Sequence, residues 1–181
     1  MSANNHLTTV GAGRGDWQTP PDLFARMNAR WRFDYDAFAS HENALCEWYS
    51  TPMGTFVKDW PSHQSKWEGP DLVKESHLDG LSWAPTDDTY PRRRFANPPY
   101  SRDIIGPAVE WLARSHEAFD ITVGLLPENR DTAWWRSFIK NKATVYSIGR
   151  VRYIDPSTGE PGGSPPGGSA IVVWIPEWLD R

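Results

Sequence analysis

Apolar positions change their spacing several times along this chain, and each change marks an element. Leu23, Phe24, Met27 and Trp31 recur at helical spacing behind Thr19-Pro20-Pro21-Asp22. That pattern predicts a helix capped by Thr19, with proline in its first turn. Phe33-Asp34-Tyr35-Asp36-Ala37-Phe38 alternates ring and acid, the period of a short strand, and a helix or loop is predicted from there through Ala44. Between Thr51 and Ser76, Pro, Gly, Trp and charge follow no period, which predicts an irregular insert over 51–76 closed by Asp79-Gly80-Leu81. Arg92 to Ala96 reads as a strand, Ile104 to Ser115 as a helix, and Ile121 to Leu126 as a buried strand ended by Pro127. Thr132 to Lys140 is predicted helical and Thr144 to Tyr153 extended. Ala170 to Ile175 forms a last strand, reached through the Gly-, Pro- and Ser-rich connection 155–169. Strands alternating with helices predict an α/β sheet, and the hairpin-like last connection predicts an antiparallel final strand.

Bulk composition narrows the class. A chain of 181 residues fits one domain, placed at 16–181, behind a polar, Gly-rich tail over 1–15 that is a poor signal peptide. Hydrophobic content is 39%, but 11 Trp, 7 Phe and 6 Tyr supply large buried areas. No apolar run approaches the roughly 20 residues of a membrane span. The lone Cys46 excludes an internal disulfide and fits a reducing cytoplasm. His6, His41, His63, His77 and His116 lack ligand-like spacing, which predicts no metal. Oligomeric state is not readable.

Net charge is −4, and its distribution is uneven. From Phe33 to Asp88 there are 11 acids and 3 lysines, whereas Thr89 to Arg152 carries 11 Lys and Arg against 6 acids. An acidic half followed by a basic half is compatible with a small-molecule site beside a phosphate-contacting face, or with uneven charge on a solvated surface.

Asn97-Pro98-Pro99-Tyr100 carries the most specific chemistry. Proline fixes φ and removes backbone donors, so the four residues form a stiff elbow with carbonyls left to accept. The Asn97 amide oxygen is another acceptor, and Tyr100 offers a flat ring. Acceptors beside a stacking platform suit an exocyclic amine on an extruded nucleobase. Alone, the elbow is equally a proline-rich turn.

Further blocks follow in order. They are Trp17-Gln18-Thr19-Pro20, Asp36-Ala37-Phe38-Ala39-Ser40 with Asn43-Ala44-Leu45-Cys46, and Asp79-Gly80-Leu81-Ser82-Trp83. After the elbow come Leu125-Leu126-Pro127 with Asp131-Thr132-Ala133-Trp134, Gly149-Arg150-Val151-Arg152-Tyr153, and Gly168-Ser169. With these, the chain resembles the phage-type DNA N6-adenine methyltransferases of the Dam family over roughly Asp16 to Pro176. The resemblance implies a Rossmann-like sheet, mostly parallel with a C-terminal antiparallel strand. It also implies S-adenosylmethionine as methyl donor and transfer to adenine N6 in DNA.

On that resemblance Asn97, Pro98, Pro99 and Tyr100 hold the base. Trp17, Thr19, Pro20, Asp36, Ala37, Ser40, Asn43 and Asp79 fall at donor positions. A free helix N-terminus behind Thr19-Pro20 suits a carboxylate, although a plain cap reads the same way. Asp36 suits the cationic end of the donor, with Asp34 as competitor. Asp79 is also an ordinary turn aspartate. Two departures stand out, the missing Gly-x-Gly loop after the first strand and a long segment between Tyr49 and Asp79, where Trp60 and Trp67 pack or meet DNA. Arg130, Arg136, Lys140, Lys142, Arg150 and Arg152 are candidate phosphate readers, with Asp131 or Asp155 as alternative partners for Arg150. The loop Gly162–Gly167 reaches DNA or is disordered. No Pro-Cys nucleophile accompanies the elbow, which disfavours C5 methylation. Cytosine N4, RNA adenine, a glutamine side chain, or non-catalytic nucleic-acid binding on the same fold remain as alternatives. A chain this short has little room for a recognition domain, which predicts short or relaxed sequence specificity.

Overall fold

The structure is a computed structural model that describes residues 17–51, 54–57, 92–162 and 167–179. The predicted tail, Trp60, Trp67, Asp79 and most of the 51–76 insert lie outside the described residues.

Helix α1 spans Pro21–Trp31. Its cap position is Pro20, not the predicted Thr19, and no side chain caps it; the Pro20 carbonyl accepts from Phe24 N at 3.0 Å. Two consecutive prolines explain the shift, because Pro21 takes the first helical position, where no donor is needed. Strand β1 is only Tyr35–Asp36, and β2 (Trp48–Thr51) with β3 (Gly54–Val57) forms an antiparallel hairpin that the aperiodic sequence did not predict. Strand β4 (Arg93–Ala96) leads through the elbow into α2 (Arg102–Arg114), and a 3-10 turn at His116–Ala118 leads into β5 (Ile121–Pro127). Helix α3 (Ala133–Phe138) is capped by the Thr132 side chain accepting from Trp135 N. Then come β6 (Thr144–Gly149) and β7 (Ser169–Trp174).

The seven strands of the described residues make one sheet in the order β3-β2-β1-β4-β5-β7-β6. Pairings β1·β2, β1·β4 and β4·β5 are parallel, while β2·β3, β5·β7 and β6·β7 are antiparallel. Five strands therefore share one direction, and β3 and β7 oppose them. The fold is mixed α/β, with the expected antiparallel strand at the C-terminal end.

Strand alternation sorts side chains onto two faces. Ala96, Leu126, Val172 and Trp174 meet Ile105, Val109 and Leu112 of α2 and Trp135 of α3. Phe95, Val123, Leu125, Ile171 and Val173 meet Leu23 and Met27 of α1. The same alternation buries a charge: Arg94 is 0% exposed. Its guanidinium donates to Thr122 Oγ1 at 3.2 Å, Ser115 Oγ at 2.8 Å and Leu112 O at 3.0 Å, and lies over the Trp111 and Phe119 rings. Burial pushes its pKa down to about 9, so it stays charged at neutral pH. Among the described residues no helix is long and apolar enough to cross a membrane.

Candidate functional site

Strand order reverses between β1 and β4. From β1 the chain winds one way to β2 and β3, and from β4 it winds the other way to β5, β7 and β6. In open α/β sheets such a switch point opens a crevice at the carboxyl ends of the strands. Asp36 pairs with Phe95 across that boundary, and Ala37 N donates to Phe95 O at 2.9 Å. Asp36 and the Asn97 elbow, distant in sequence, thus leave neighbouring strands at the same edge.

The elbow is locked from one side. Asn97 Nδ2 donates to the Trp17 carbonyl at 2.9 Å. A carbonyl only accepts, so the amide nitrogen must face it and the oxygen must face away. Asn97 Oδ1 is buried and has no hydrogen-bond partner among the described residues. Leaving a buried acceptor unmet costs about 1–3 kcal/mol, which a ligand N–H recovers. Pro98 is buried, and Pro99 and Tyr100 are half-buried. The Tyr100 hydroxyl donates to Leu125 O at 3.0 Å and lies 2.7 Å from the Tyr153 hydroxyl, which lies 3.0 Å from Ser169 Oγ. Burial, reinforced by Tyr153, holds the Tyr100 phenol well above its usual value. It is protonated at neutral pH and is no general base.

The acidic side is equally built. Asp36 is 3% exposed, and its Oδ2 accepts from Leu45 N at 3.1 Å. Ser40 and Asn43 make that contact by shaping the turn between them. Ser40 N donates to Asn43 Oδ1 at 2.6 Å, and Asn43 N to Ser40 Oγ at 3.3 Å. Their side chains are spent on the turn. Ala37 is fully buried in the core. The competitor Asp34 sits at the opposite end of β1, where Arg92 N and Arg93 N donate to its carboxylate. Burial raises its pKa against those bonds. Thr19 is buried beside the start of α1. Trp17 and Gln18 run alongside a later segment, with Gln18 and Ile154 exchanging two 3.0 Å backbone bonds. Gly162 presses on the Trp17 indole so closely that a Cβ there would fall 2.2 Å from the ring.

Sequence reasoning missed a third cluster. Beyond β5, a pocket of about 420 Å³ is lined by Glu128, Asn129, Arg130, Asp131, Thr132 and Gly168. Arg130 donates to Glu128 at 2.8 and 2.6 Å, and Ser147 Oγ donates to the same oxygen at 2.6 Å. Arg130 stays exposed and is paired here with Glu128. In the sequence its members stood apart, Arg130 as a candidate phosphate reader and Asp131-Thr132 and Gly168 in separate blocks, with nothing to join them to Glu128. Arg136, Lys140, Lys142, Arg150 and Arg152 are exposed around α3 and the edge strand β6. Neither suggested partner holds Arg150; Asp155 instead accepts from Ser157 N and Oγ.

Fold and site together define a mixed α/β protein with a buried acid and an acceptor elbow at the carboxyl ends of two neighbouring strands. Residues 7–77 match the family model described as DNA N-6-adenine-methyltransferase (Dam). The chain is also 27% identical, over 184 residues, to a DNA N-6-adenine-methyltransferase of Escherichia phage T1, an alignment covering 91% of this chain and 64% of the phage protein. The chain therefore spans less than two thirds of that relative's length. Both matches bear out the resemblance to the Dam family. The family match ends before the elbow, whereas the alignment to the phage protein covers most of the chain.

Proposed function

We propose that this chain transfers a methyl group from S-adenosylmethionine to N6 of adenine in DNA, on a Rossmann-like sheet. One observation carries the reading: Asn97 Oδ1 is a buried acceptor without a partner among the described residues, oriented by the bond from its own amide nitrogen to Trp17. Adenine N6 is a weak nucleophile because its lone pair is delocalised into the ring. Oδ1 and the Pro98 carbonyl accept hydrogen bonds from its two N–H groups, which returns electron density to nitrogen and holds it in line for attack. The surplus proton of the methylated amine is then lost to solvent. Tyr100 stacks on the extruded base through its remaining exposed ring surface, a contact of about 1–3 kcal/mol.

The residues fit the donor. Asp36 is a buried carboxylate at the switch point, suited to a cationic group, and the start of α1 behind Thr19-Pro20 suits a carboxylate. Bound S-adenosylmethionine would supply an electrophilic methyl group. Trp17, Ala37, Ser40 and Asn43 act through backbone and wall rather than through free side chains, and Asp79, outside the described residues, is assigned to the donor on the resemblance alone. The β2-β1-β4-β5 order agrees with a doubly wound sheet. The matched family and the phage relative's name favour DNA adenine over the other amines. Exposed Arg136, Lys140, Arg150 and Arg152 contact phosphate, and Arg130 does so only if it leaves Glu128.

Replacing Asn97 tests this. Asn97→Ala is expected to lower methyl transfer from labelled donor to DNA by about 10²-fold or more, by analogy with loss of a reaction-stabilising hydrogen-bond group. Donor affinity, measured by calorimetry, should stay within a few-fold of the parent. Full transfer by Asn97→Ala would remove the elbow from the reaction.

A further inference from the structure

Resting on the reading above, we infer that Tyr153 is a positioning residue for the base site: it fixes the Tyr100 ring through a one-way chain of hydroxyl groups. Direction follows from counting protons. Each hydroxyl has one hydrogen. Tyr100 gives its hydrogen to Leu125 O at 3.0 Å. Its 2.7 Å contact with Tyr153 therefore requires Tyr153 to donate, and the 3.0 Å contact of Tyr153 with Ser169 requires Ser169 to donate in turn. The chain runs Ser169, Tyr153, Tyr100, Leu125, with no choice of orientation.

Its members come from separate places. Ser169 opens β7, Leu125 lies in β5, and Tyr153 follows β6. Tyr153 is fully buried, and its ring meets Tyr100 edge-on, with centroids 5.6 Å apart at 88°. The two hydrogen bonds hold the tip of the Tyr100 ring in place, and the edge-on Tyr153 ring opposes its rotation. The same segment steadies the other half of the elbow, since Ile154 pairs with Gln18 and Gly162 seats the Trp17 ring. Trp17 in turn orients Asn97. A stacking platform held before the base arrives spares the cost of ordering it on binding.

The test is Tyr153→Phe, which keeps the ring and deletes the middle hydroxyl. Transfer to DNA is expected to fall by about three- to tenfold, the scale of one buried hydrogen bond. DNA carrying 2-aminopurine at the target should show a weaker fluorescence rise. S-adenosylmethionine affinity by calorimetry and the melting curve should show an intact fold. In a Tyr100→Phe background the same change should have no further effect. Wild-type behaviour of Tyr153→Phe, or an equal loss in the Tyr100→Phe background, would overturn the inference. If the parent protein transfers no methyl group, the activity proposal fails by itself. The hydroxyl chain is then read from the Tyr100 hydroxyl proton in tyrosine-labelled protein. It should exchange slowly in the parent and quickly in Tyr153→Phe, and fast exchange in the parent would refute it.

Discussion

Asn97 illustrates how much one side chain divides its work. Its nitrogen is spent on the Trp17 carbonyl, and that contact alone decides which way the oxygen points. The elbow tetrapeptide announces an acceptor in the sequence, but not this orientation, because Trp17 lies 80 positions away. Arg94 is the opposite case. Arg92, Arg93 and Arg94 look alike in sequence, and only strand register sends the third into the core. There the planar guanidinium serves three acceptors and two rings at once. An ammonium cannot reproduce that fork or stack in the same way. Arg94→Lys should therefore destabilise the fold by about 1–3 kcal/mol, read from urea unfolding. An unchanged midpoint would mean that the fork contributes nothing.

Elements were legible where one period dominated. The strand Ile121–Pro127 and the helix Arg102–Arg114 fall close to their predicted spans because their apolar positions are regular. Strands β2 and β3 were not legible. Their four-residue lengths and mixed residues give too few positions to show a period, and pairing with β1 and with each other stabilises them instead. The bond between the turn after β5 and the edge strand β6 was equally hidden, since Glu128 and Ser147 meet only in the folded chain.

That link has a pH signature. The bond from Ser147, then the contact with Arg130, holds the Glu128 carboxyl below its usual range. A depressed folded pKa gives stability that is fully present above the unfolded value and lost as pH falls through the folded one. Ser147→Ala should thus lower stability near neutral pH by about 1 kcal/mol or less, with the gap closing on acidification below about pH 4. Urea unfolding at both pH values checks this. A gap that stays constant with pH would place the effect in packing rather than in the carboxylate.

At the scale of the whole molecule, alternating strands and helices made the α/β class legible, but strand order was not. Asp36 and Asn97 become neighbours only once β4 inserts beside β1. Order also locates the charge. β6 lies three strand spacings from β4, about 14 Å, and Lys140, Lys142, Arg150 and Arg152 flank its two ends. Despite the net charge of −4, this edge carries exposed cations at both ends of β6: Arg150 and Arg152 follow the end level with the carboxyl end of β5, and Lys140 and Lys142 precede the opposite end. Each phosphate contact adds about one unit to the slope of log affinity against log salt. Lys140→Ala and Arg150→Ala should each flatten that slope by about one, with similar losses on all DNA sequences. Unchanged slopes would move the DNA path elsewhere.

The most direct test of the central claim is to incubate the protein with unmethylated DNA and S-adenosylmethionine and to quantify the modified nucleosides by mass spectrometry, with Asn97→Ala in parallel. N6-methyladenine that appears with the parent protein and is absent with the variant is the predicted result. N4-methylcytosine in its place, or no modified base from a protein that binds the donor, would contradict it.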